Sequence, residues 1–536
     1  MEKKYKVTFL PQKITVEVPE GTMILEAEQQ AGLEPDAPCG GQGKCGKCRV
    51  NIAEGKKTGV VLACVTPVDS DMKIDTMFME KMQQILTGGM SREVPTEPGI
   101  GRPEGDDRPF YMVAFDIGTT TVVGYLLHGG NGEVFGVASM MNPQHQFGAD
   151  VISRSNYVLE NEDGGKKMRE VIVKALNQMI GQLCKDAGIT REDVLQVSIV
   201  GNTCMHHLFL GISPQSLVLA PYIPAVKDGM IRRPEEVGID IAAEGDVVIL
   251  PNIAGFVGAD TVGCMLAVAF DELEPMTLMI DIGTNGELVM GNKNKMVTTS
   301  TAAGPAFEGA KIECGMRGSK GAISHLEVVD GHIKLGIVDD AKAVGICGSG
   351  LIDILAYMIR HGIVDTYGGF MDADELEDPV AVAESWRLQE KDGQPVYILV
   401  KGEDAANGSD IYLSQKDIRE VQLAKGAIAA GIEIMAEKLG IESSQIDQVF
   451  LAGAFGNYMD EKNACEIGLI PYALIDRIRP IGNAAGEGSK LACMNRGQYD
   501  YACEMAKKAE FIELATEPQF QDVFVDQLEF DRAVER

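Results

Sequence analysis

Positive charge is scarce in this sequence. Against 79 aspartates and glutamates stand 48 lysines and arginines, a formal net charge of −31, which disfavours sequence-independent binding to phosphate backbones or anionic lipid. No nucleic-acid partner is expected. Long apolar runs are also lacking: no stretch of about 18 or more apolar residues occurs, and the opening MEKKYKVTFL carries basic residues but too short an apolar stretch for a signal peptide. No membrane association is expected, and a cytoplasmic location is the default. The 12 cysteines are too sparse in 536 residues for a disulfide scaffold, and eight stand singly (Cys184, Cys204, Cys264, Cys314, Cys347, Cys465, Cys493, Cys503). Those eight read as reduced, mostly buried thiols. The length exceeds one hydrophobic core, and 45% apolar residues suffice for about two to four globular domains.

The other four cysteines, Cys39, Cys45, Cys48 and Cys64, follow the spacing C-x5-C-x2-C-x15-C. Thiolates so placed can wrap a [2Fe–2S] cluster, with a glycine-rich loop giving three ligands and a later strand the fourth. Gly40, Gly41, Gly43 and Gly46 let the backbone curl so that N–H groups point at sulfide, and Gly55 serves a turn. A structural zinc site is the alternative, but such sites usually pair two C-x2-C knuckles and one is present here. Upstream, KYKVTFL and KITVEV alternate like two strands joined at Pro11 and Gln12, and TMILEAEQQAG reads as a helix ended by Gly32. Residues 3 to 78 thus resemble the β-grasp fold of plant- and adrenodoxin-type ferredoxins, with the one-residue difference in the first cysteine gap that adrenodoxin-like members show.

Residues 81–110 hold four prolines, many glycines and charges, and no apolar periodicity, and read as a flexible tether. Then comes YMVAFDIGTTTVVGYLL and, 165 residues later, TLMIDIGTNGELVMG: twice, an apolar strand ends in Asp-Ile-Gly-Thr and a second strand follows. The repeat predicts a duplicated domain whose halves face across a cleft. Gly118 and Gly283 permit tight hairpins whose N–H groups approach phosphate oxygens; Thr119, Thr120, Thr121 and Thr284 add hydroxyls, and Asn285 joins the second hairpin. Asp116 and Asp281 can hold hydrated Mg²⁺ or orient an attacking water.

From residue 111 onward the chain resembles the superfamily of acetate and sugar kinases, the heat-shock chaperone ATPase and actin. That resemblance implies two ribonuclease-H-like halves closing over Mg-ATP, an adenine-packing turn in VFLAGAFGNY at Gly453 and Gly456, and a hinge-like connecting helix in RPIGNAAGEGSKLAC. It places VSIVGNTCMHHLFLG at the first connection. The stretch AVGICGSGLIDILAYMI reads as a glycine loop opening an apolar helix, chiefly for packing. In CMHH only Cys204 and His207 share a helical face, too few ligands for a metal.

The fold class is therefore multidomain α+β and α/β: a β-grasp ferredoxin, then a duplicated ribonuclease-H-like, actin-like ATPase. Expected boundaries are 1–80, a flexible linker 81–110, and the two halves 111–275 and 276–536. The whole arrangement, including DIGTTT, GNTCMHHLFLG, DIGTNGE, AAGPAFEGA, GICGSGLID and LAGAFG, resembles the reductive activators of corrinoid proteins. The resemblance implies a [2Fe–2S] cluster, ATP and Mg²⁺ as cofactors, a low-potential electron donor, and delivery of one electron to a Co(II) corrinoid protein serving a methyltransferase system. A homodimer is left open. The loop TTSTAAGPAFEGAKIECG (298–315) is either a cobalt-facing loop or a buried connection beside the phosphates. Other readings are an activator of 2-hydroxyacyl-CoA dehydratases or another low-potential enzyme, a small-molecule kinase, and a redox-gated ATP-binding module without turnover.

Overall fold

The computed structural model describes every residue except 1–2, 11–12, 34, 36, 38–40, 42–47, 57–58, 77–87, 101–107, 284 and 531–536. Its first unit is a five-stranded sheet in the order Ile14–Pro19, Lys4–Leu10, Met72–Asp75, Arg49–Glu54, Gly59–Leu62. Alternation sets the faces of the first strand: Val7 and Phe9 are buried, while Lys4 and Lys6 reach solvent. Its pairing with Met72–Asp75 is parallel and with Ile14–Pro19 antiparallel. The helix Ile24–Gln30 buries Ile24, Leu25 and Ala27 against this sheet. It ends as expected at Gly32, which takes φ +75° while Leu33 N–H donates to the Glu28 carbonyl. The expected turn at Pro11 and Gln12 lies outside the described residues.

The duplication is visible in two six-stranded sheets. One runs Met230–Arg232, Asp246–Ile249, Val194–Gly201, Tyr111–Ile117, Thr121–His128, Val134–Met141; the other runs Ile478–Gly482, Gln448–Ala452, Thr277–Ile282, Gly286–Asn292, Lys295–Thr301, Glu510–Phe511. In each, the strand bearing Asp-Ile-Gly makes an antiparallel hairpin on one side and a parallel pairing on the other. Central strands such as Val194–Gly201 are buried at every residue, as a parallel strand covered on both faces must be. Two further three-stranded sheets, built from strands between Ala322 and Ser414, enlarge the second lobe.

The lobes are joined by two helices, Ala259–Val268 and Ala484–Met494, which cross at glycine. A Cβ on Gly488 would stand 2.0 Å from the Gly263 carbonyl oxygen. The glycines of the second connecting helix thus do what the sequence suggested, but the first connection is Ala259–Val268. The stretch VSIVGNTCMHHLFLG instead forms a central strand and the helix Thr203–Leu210. Contacts also cross the expected 275/276 boundary. Ala484–Met494 packs back on the first sheet, where Ser489 Oγ donates to the Phe115 carbonyl and Gln196 Nε2 to the Cys493 carbonyl.

The segment read as a flexible tether is docked over residues 88–100. Gly89 pairs with Gly482 and Glu97 with Asn495 as β-bridges. Arg92 donates to the Leu266 carbonyl from Nε (3.2 Å) and Nη2 (2.9 Å) and to Gln498 Oε1 (2.7 Å). The reason is physical: this strap binds through main-chain hydrogen bonds and one arginine, and such pairing needs no apolar periodicity. Residues 81–87 and 101–107 of the expected linker lie outside the described residues.

Candidate functional sites

Two of the four predicted cluster ligands are placed. Cys48 immediately precedes the strand Arg49–Glu54, and Cys64 follows the strand Gly59–Leu62, with Ala63 N–H donating to the Cys48 carbonyl at 2.7 Å. Both side chains are buried, and their sulfurs lie 3.2 Å apart, well beyond the ~2.05 Å of a disulfide. Gly41 adopts φ +83°, and a Cβ there would press Leu25 Cδ2 at 3.1 Å, so the loop requires glycine at this point. Cys39 and Cys45 lie outside the described residues. Buried thiols held this close fit a shared iron–sulfur ligand set.

The second site is a cleft of about 600 Å³ between the two lobes. Asp116, Gly118, Thr119, Thr120 and Thr121 come to it from the first hairpin, and Asp281, Gly283 and Asn285 from the second. Thr284 lies outside the described residues. Each turn is tied by a backbone bond, Gly118 N–H to the Thr121 carbonyl and Gly283 N–H to the Asn285 carbonyl, both 2.9 Å. Asp116 is paired across its hairpin with Val123, whereas Asp281 is paired with Glu287.

Four carboxylates converge here: Asp116, Asp281, Glu287 and Asp260, the last on the first turn of the connecting helix. Burial pushes Asp116 up to about 7, against a hydrogen bond from Asn483 that lowers it. Burial, with the charges of Asp281 and Asp116, takes Asp260 to about 7, and burial alone takes Asp281 to about 6. Glu287 is held well above the usual carboxylate range by burial and by Asp260 and Asp281. Negative charge is thus concentrated in a confined space, a place where a cation relieves mutual repulsion.

The first hairpin is braced differently. Arg154 is fully buried; it donates to the Thr119 carbonyl (2.5 Å) and the Gly148 carbonyl (2.9 Å), and burial lowers its pKa to about 10. It sits on the helix Val151–Glu160, whose start is fixed by the reciprocal Asp150–Ser153 cap. Asn202 Nδ2 donates to Thr119 Oγ1 (2.8 Å), and Thr120 Oγ1 reaches across the cleft to Glu308 Oε2 (3.0 Å).

At the other end, Gly453 takes φ +81°, and a Cβ there would come within 2.6 Å of Asp281 Oδ1. Phe455 and Phe307 stack at 5.2 Å on the cleft wall, an apolar surface suited to a base. Gly456 does not join them: it turns to its own strand, where a Cβ would meet Leu451 Cβ at 2.9 Å. Its role is helix–strand packing. Gly348 and Ser349, at the start of the helix Gly348–Arg360, do line the cleft. His325 is there too, its Nδ1 2.5 Å from Asp353 Oδ2.

Of the two readings of 298–315, the structure supports the buried connection. Thr298, Thr299 and Thr301 donate their hydroxyls to the carbonyls of Leu288, Ile512 and Gly286, and Phe307 and Glu308 face the cleft. In the CMHH stretch, His207 places Nδ1 on the Thr203 carbonyl and accepts the Ala225 N–H at Nε2. Asp260, Glu287, Asn483, Arg154 and Glu308 were missed from sequence. Asp260 had a local signal, an acidic residue in an otherwise apolar helix upstream of the second Asp-Ile-Gly strand, and Glu287 and Glu308 stand inside the motifs DIGTNGE and AAGPAFEGA.

A ferredoxin-type domain joined to two ribonuclease-H-like lobes with paired aspartate hairpins defines an iron–sulfur protein fused to an actin-like ATPase. The comparisons with known proteins agree along the chain. Residues 7–69 match the 2Fe-2S iron-sulfur cluster binding domain, 111–273 the RACo middle region, and 275–535 the C-terminal ASKHA domain of RACo. A corrinoid activation enzyme, RamQ, of Eubacterium limosum is 34% identical over 95% of this chain and 96% of its own. A Methanosarcina barkeri reductase of the Co(II) methylated amine-specific corrinoid protein is 24% identical over 78% and 77%. The solved structure of a reductive activator for a corrinoid iron–sulfur protein matches with a TM-score of 0.70 and 32% identity over 98% of both chains. The chain belongs to the family of reductive activators of corrinoid proteins.

Proposed function

We propose that this protein delivers one electron from a [2Fe–2S] cluster to a corrinoid protein oxidised to Co(II), regenerating Co(I) for a methyltransferase system at the expense of ATP. The observation that carries this reading is the presence, in one chain, of the Cys48–Cys64 pair 3.2 Å apart and a two-lobed cleft floored by aspartates. The relatives named for corrinoid activation point to the acceptor.

In this reading Cys39, Cys45, Cys48 and Cys64 hold the cluster, which when bound supplies one-electron transfer. The two hairpins hold the ATP phosphates through backbone N–H groups and the hydroxyls of Thr119, Thr120, Thr121 and Thr284, while Gly453 and Phe455 take the base. Asp116 and Asp281 orient the water that attacks the γ-phosphate. The residues fit Mg²⁺ in its hydrated form: the four carboxylates supply charge, but no three described His, Cys, Asp or Glu side chains stand close enough to ligate one ion directly, and Mg²⁺ usually retains several waters. A low-potential donor reloads the cluster. No described helix is long and apolar enough to cross a membrane, and we assign the protein to the cytoplasm. The boundaries 1–80, 111–275 and 276–536 mark the cluster domain and the two lobes by sequence.

The energetics are within reach of a nucleotide switch. Plant-type [2Fe–2S] centres lie near about −400 mV, and each ~59 mV uphill costs a factor of ten, about 1.4 kcal/mol. A gap of two or three decades is then about 3–4 kcal/mol, less than the ~5.5 kcal/mol of differential binding that takes a two-state protein from 1:99 to 99:1. The test is anaerobic. The wild-type chain should carry a [2Fe–2S] spectrum, lost in Cys45→Ser, and should form Co(I) on a Co(II) corrinoid protein only with Mg-ATP. An intact cluster spectrum and ATPase turnover without Co(I) under any condition would reject the assignment.

A further inference from the structure

The strap Gly88–Glu97 leads from the cluster domain to the ATPase lobes, and one of its attachment points, Asn483, lines the cleft. Asn483 N–H donates to the Gly88 carbonyl (2.9 Å), Met90 N–H to the Ile481 carbonyl (2.8 Å), and Gly89 N–H to Glu487 Oε1 (3.2 Å). Farther along, Glu97 N–H donates to the Met494 carbonyl (2.8 Å), and the Glu97 carbonyl accepts from Arg496 N–H (2.9 Å). Arg92 grips the last turn of the first connecting helix at Leu266 and the helix Arg496–Lys508 at Gln498. One segment therefore staples both lobe-crossing helices.

Asn483 is the shared residue. Its main chain holds Gly88, its Oδ1 accepts from Gly486 N–H (2.9 Å), and its Nδ2 donates to the Tyr125 hydroxyl (3.1 Å). It lines the cleft together with Asp116. The fit is sterically tight. A Cβ on Gly89 would meet the Ile481 carbonyl oxygen at 2.8 Å, and one on Gly482, at φ +65°, would meet the Gly88 oxygen at 2.3 Å.

We propose that the strap Gly88–Glu97 is a positioning element of the nucleotide cleft, holding Asn483 in the wall it shares with Asp116 and coupling the tether of the cluster domain to nucleotide occupancy. The proposal rests on the reading of the cleft as the ATP site. Coupling of this kind is reciprocal: if bound nucleotide tightens the strap, an unseated strap weakens the nucleotide by the same factor.

The test is hydrogen exchange on the full wild-type chain, with and without a non-hydrolysable ATP analogue and Mg²⁺, together with calorimetric titration of that analogue. The amides of Gly89, Met90 and Glu97 should exchange at least about fivefold more slowly with the analogue bound, the lower end of ordinary coupling. Gly89→Val, which drives a side chain into Ile481, and Arg92→Met, which frees the far end, should each raise the analogue's Kd at least about fivefold. If Gly89→Val does not fold, Arg92→Met and the wild-type exchange decide. A wild-type chain that binds the analogue with unchanged strap exchange, or variants that bind it as wild type does, would overturn the coupling alone. A wild-type chain that binds no analogue would overturn the proposal together with the ATP reading.

Discussion

The two hairpins of the duplicated lobes share a strand pattern and differ in what surrounds them. The second sets Asp281 opposite Glu287, with Asp260 nearby; the first sets Asp116 opposite Val123 and rests on the Arg154 guanidinium. The registers differ by one residue: Asp116 pairs seven positions ahead, Asp281 six. Duplication thus supplied one frame twice, and later side-chain choice divided the work. In the proposed function, the first hairpin holds phosphate through hydroxyls over a positive charge, and the second gathers the negative charge that a hydrated cation and an attacking water require.

Asp281→Ala should have the largest effect on that comparison. It removes the second hairpin's aspartate, and ATPase turnover should fall by about 10²–10³, as when one preorganised electrostatic group is lost, while a steady-state assay on the folded protein reads the change. Next comes Arg154→Met. It leaves the Thr119 and Gly148 carbonyls without their charged donor, and denaturant unfolding should show a loss of about 1.5–3 kcal/mol. Making the first hairpin imitate the second, by Val123→Glu, should weaken a non-hydrolysable ATP analogue at least about tenfold, since about 1.4 kcal/mol of like-charge repulsion suffices. Unchanged affinity would show that the asymmetry is incidental.

The smallest effect concerns pH. Asp116, Asp260 and Asp281 are pushed up to about 7, 7 and 6, and Glu287 is also raised. The folded chain then holds protons that the unfolded chain releases, so these groups cost stability as pH rises from the ordinary carboxylate range through about 7. Glu287→Gln removes part of that cost. Without nucleotide or Mg²⁺, its Tm should exceed that of wild type by a few degrees at pH 8, with the gap closing toward pH 5; a gap that widens on acidification would contradict the sign.

Sequence patterns local in the chain were legible. The cysteine spacing, both Asp-Ile-Gly hairpins, the helix ending at Gly32 and the glycine-rich crossing helix each depend on neighbours a few residues apart. What escaped is what topology assembles. Arg154 comes under Thr119 from a separate helix, Glu308 meets Thr120 across the lobes, and Asn483 reaches Asp116 from a distant turn. The strap escaped for another reason: its partners are main-chain groups, so its prolines and glycines resemble those of a free linker. Gly456, whose residue type suits close approach to a ligand, instead packs against its own strand, and of the two readings of 298–315 the threonine hydroxyls favour the buried connection by bonding carbonyl groups within the fold.

In the proposed function, ATP at this cleft drives an electron uphill from the cluster to a corrinoid. The most direct measurement holds the protein and a Co(II) corrinoid protein anaerobically with a reductant just strong enough to reduce the cluster, and follows Co(I) by visible absorption on adding Mg-ATP. Co(I) should appear with Mg-ATP, should be absent with Mg-ADP or no nucleotide, and should be lost in Cys48→Ser and Asp281→Ala. Equal Co(I) with and without ATP, from a cluster of unchanged spectrum, would contradict the account.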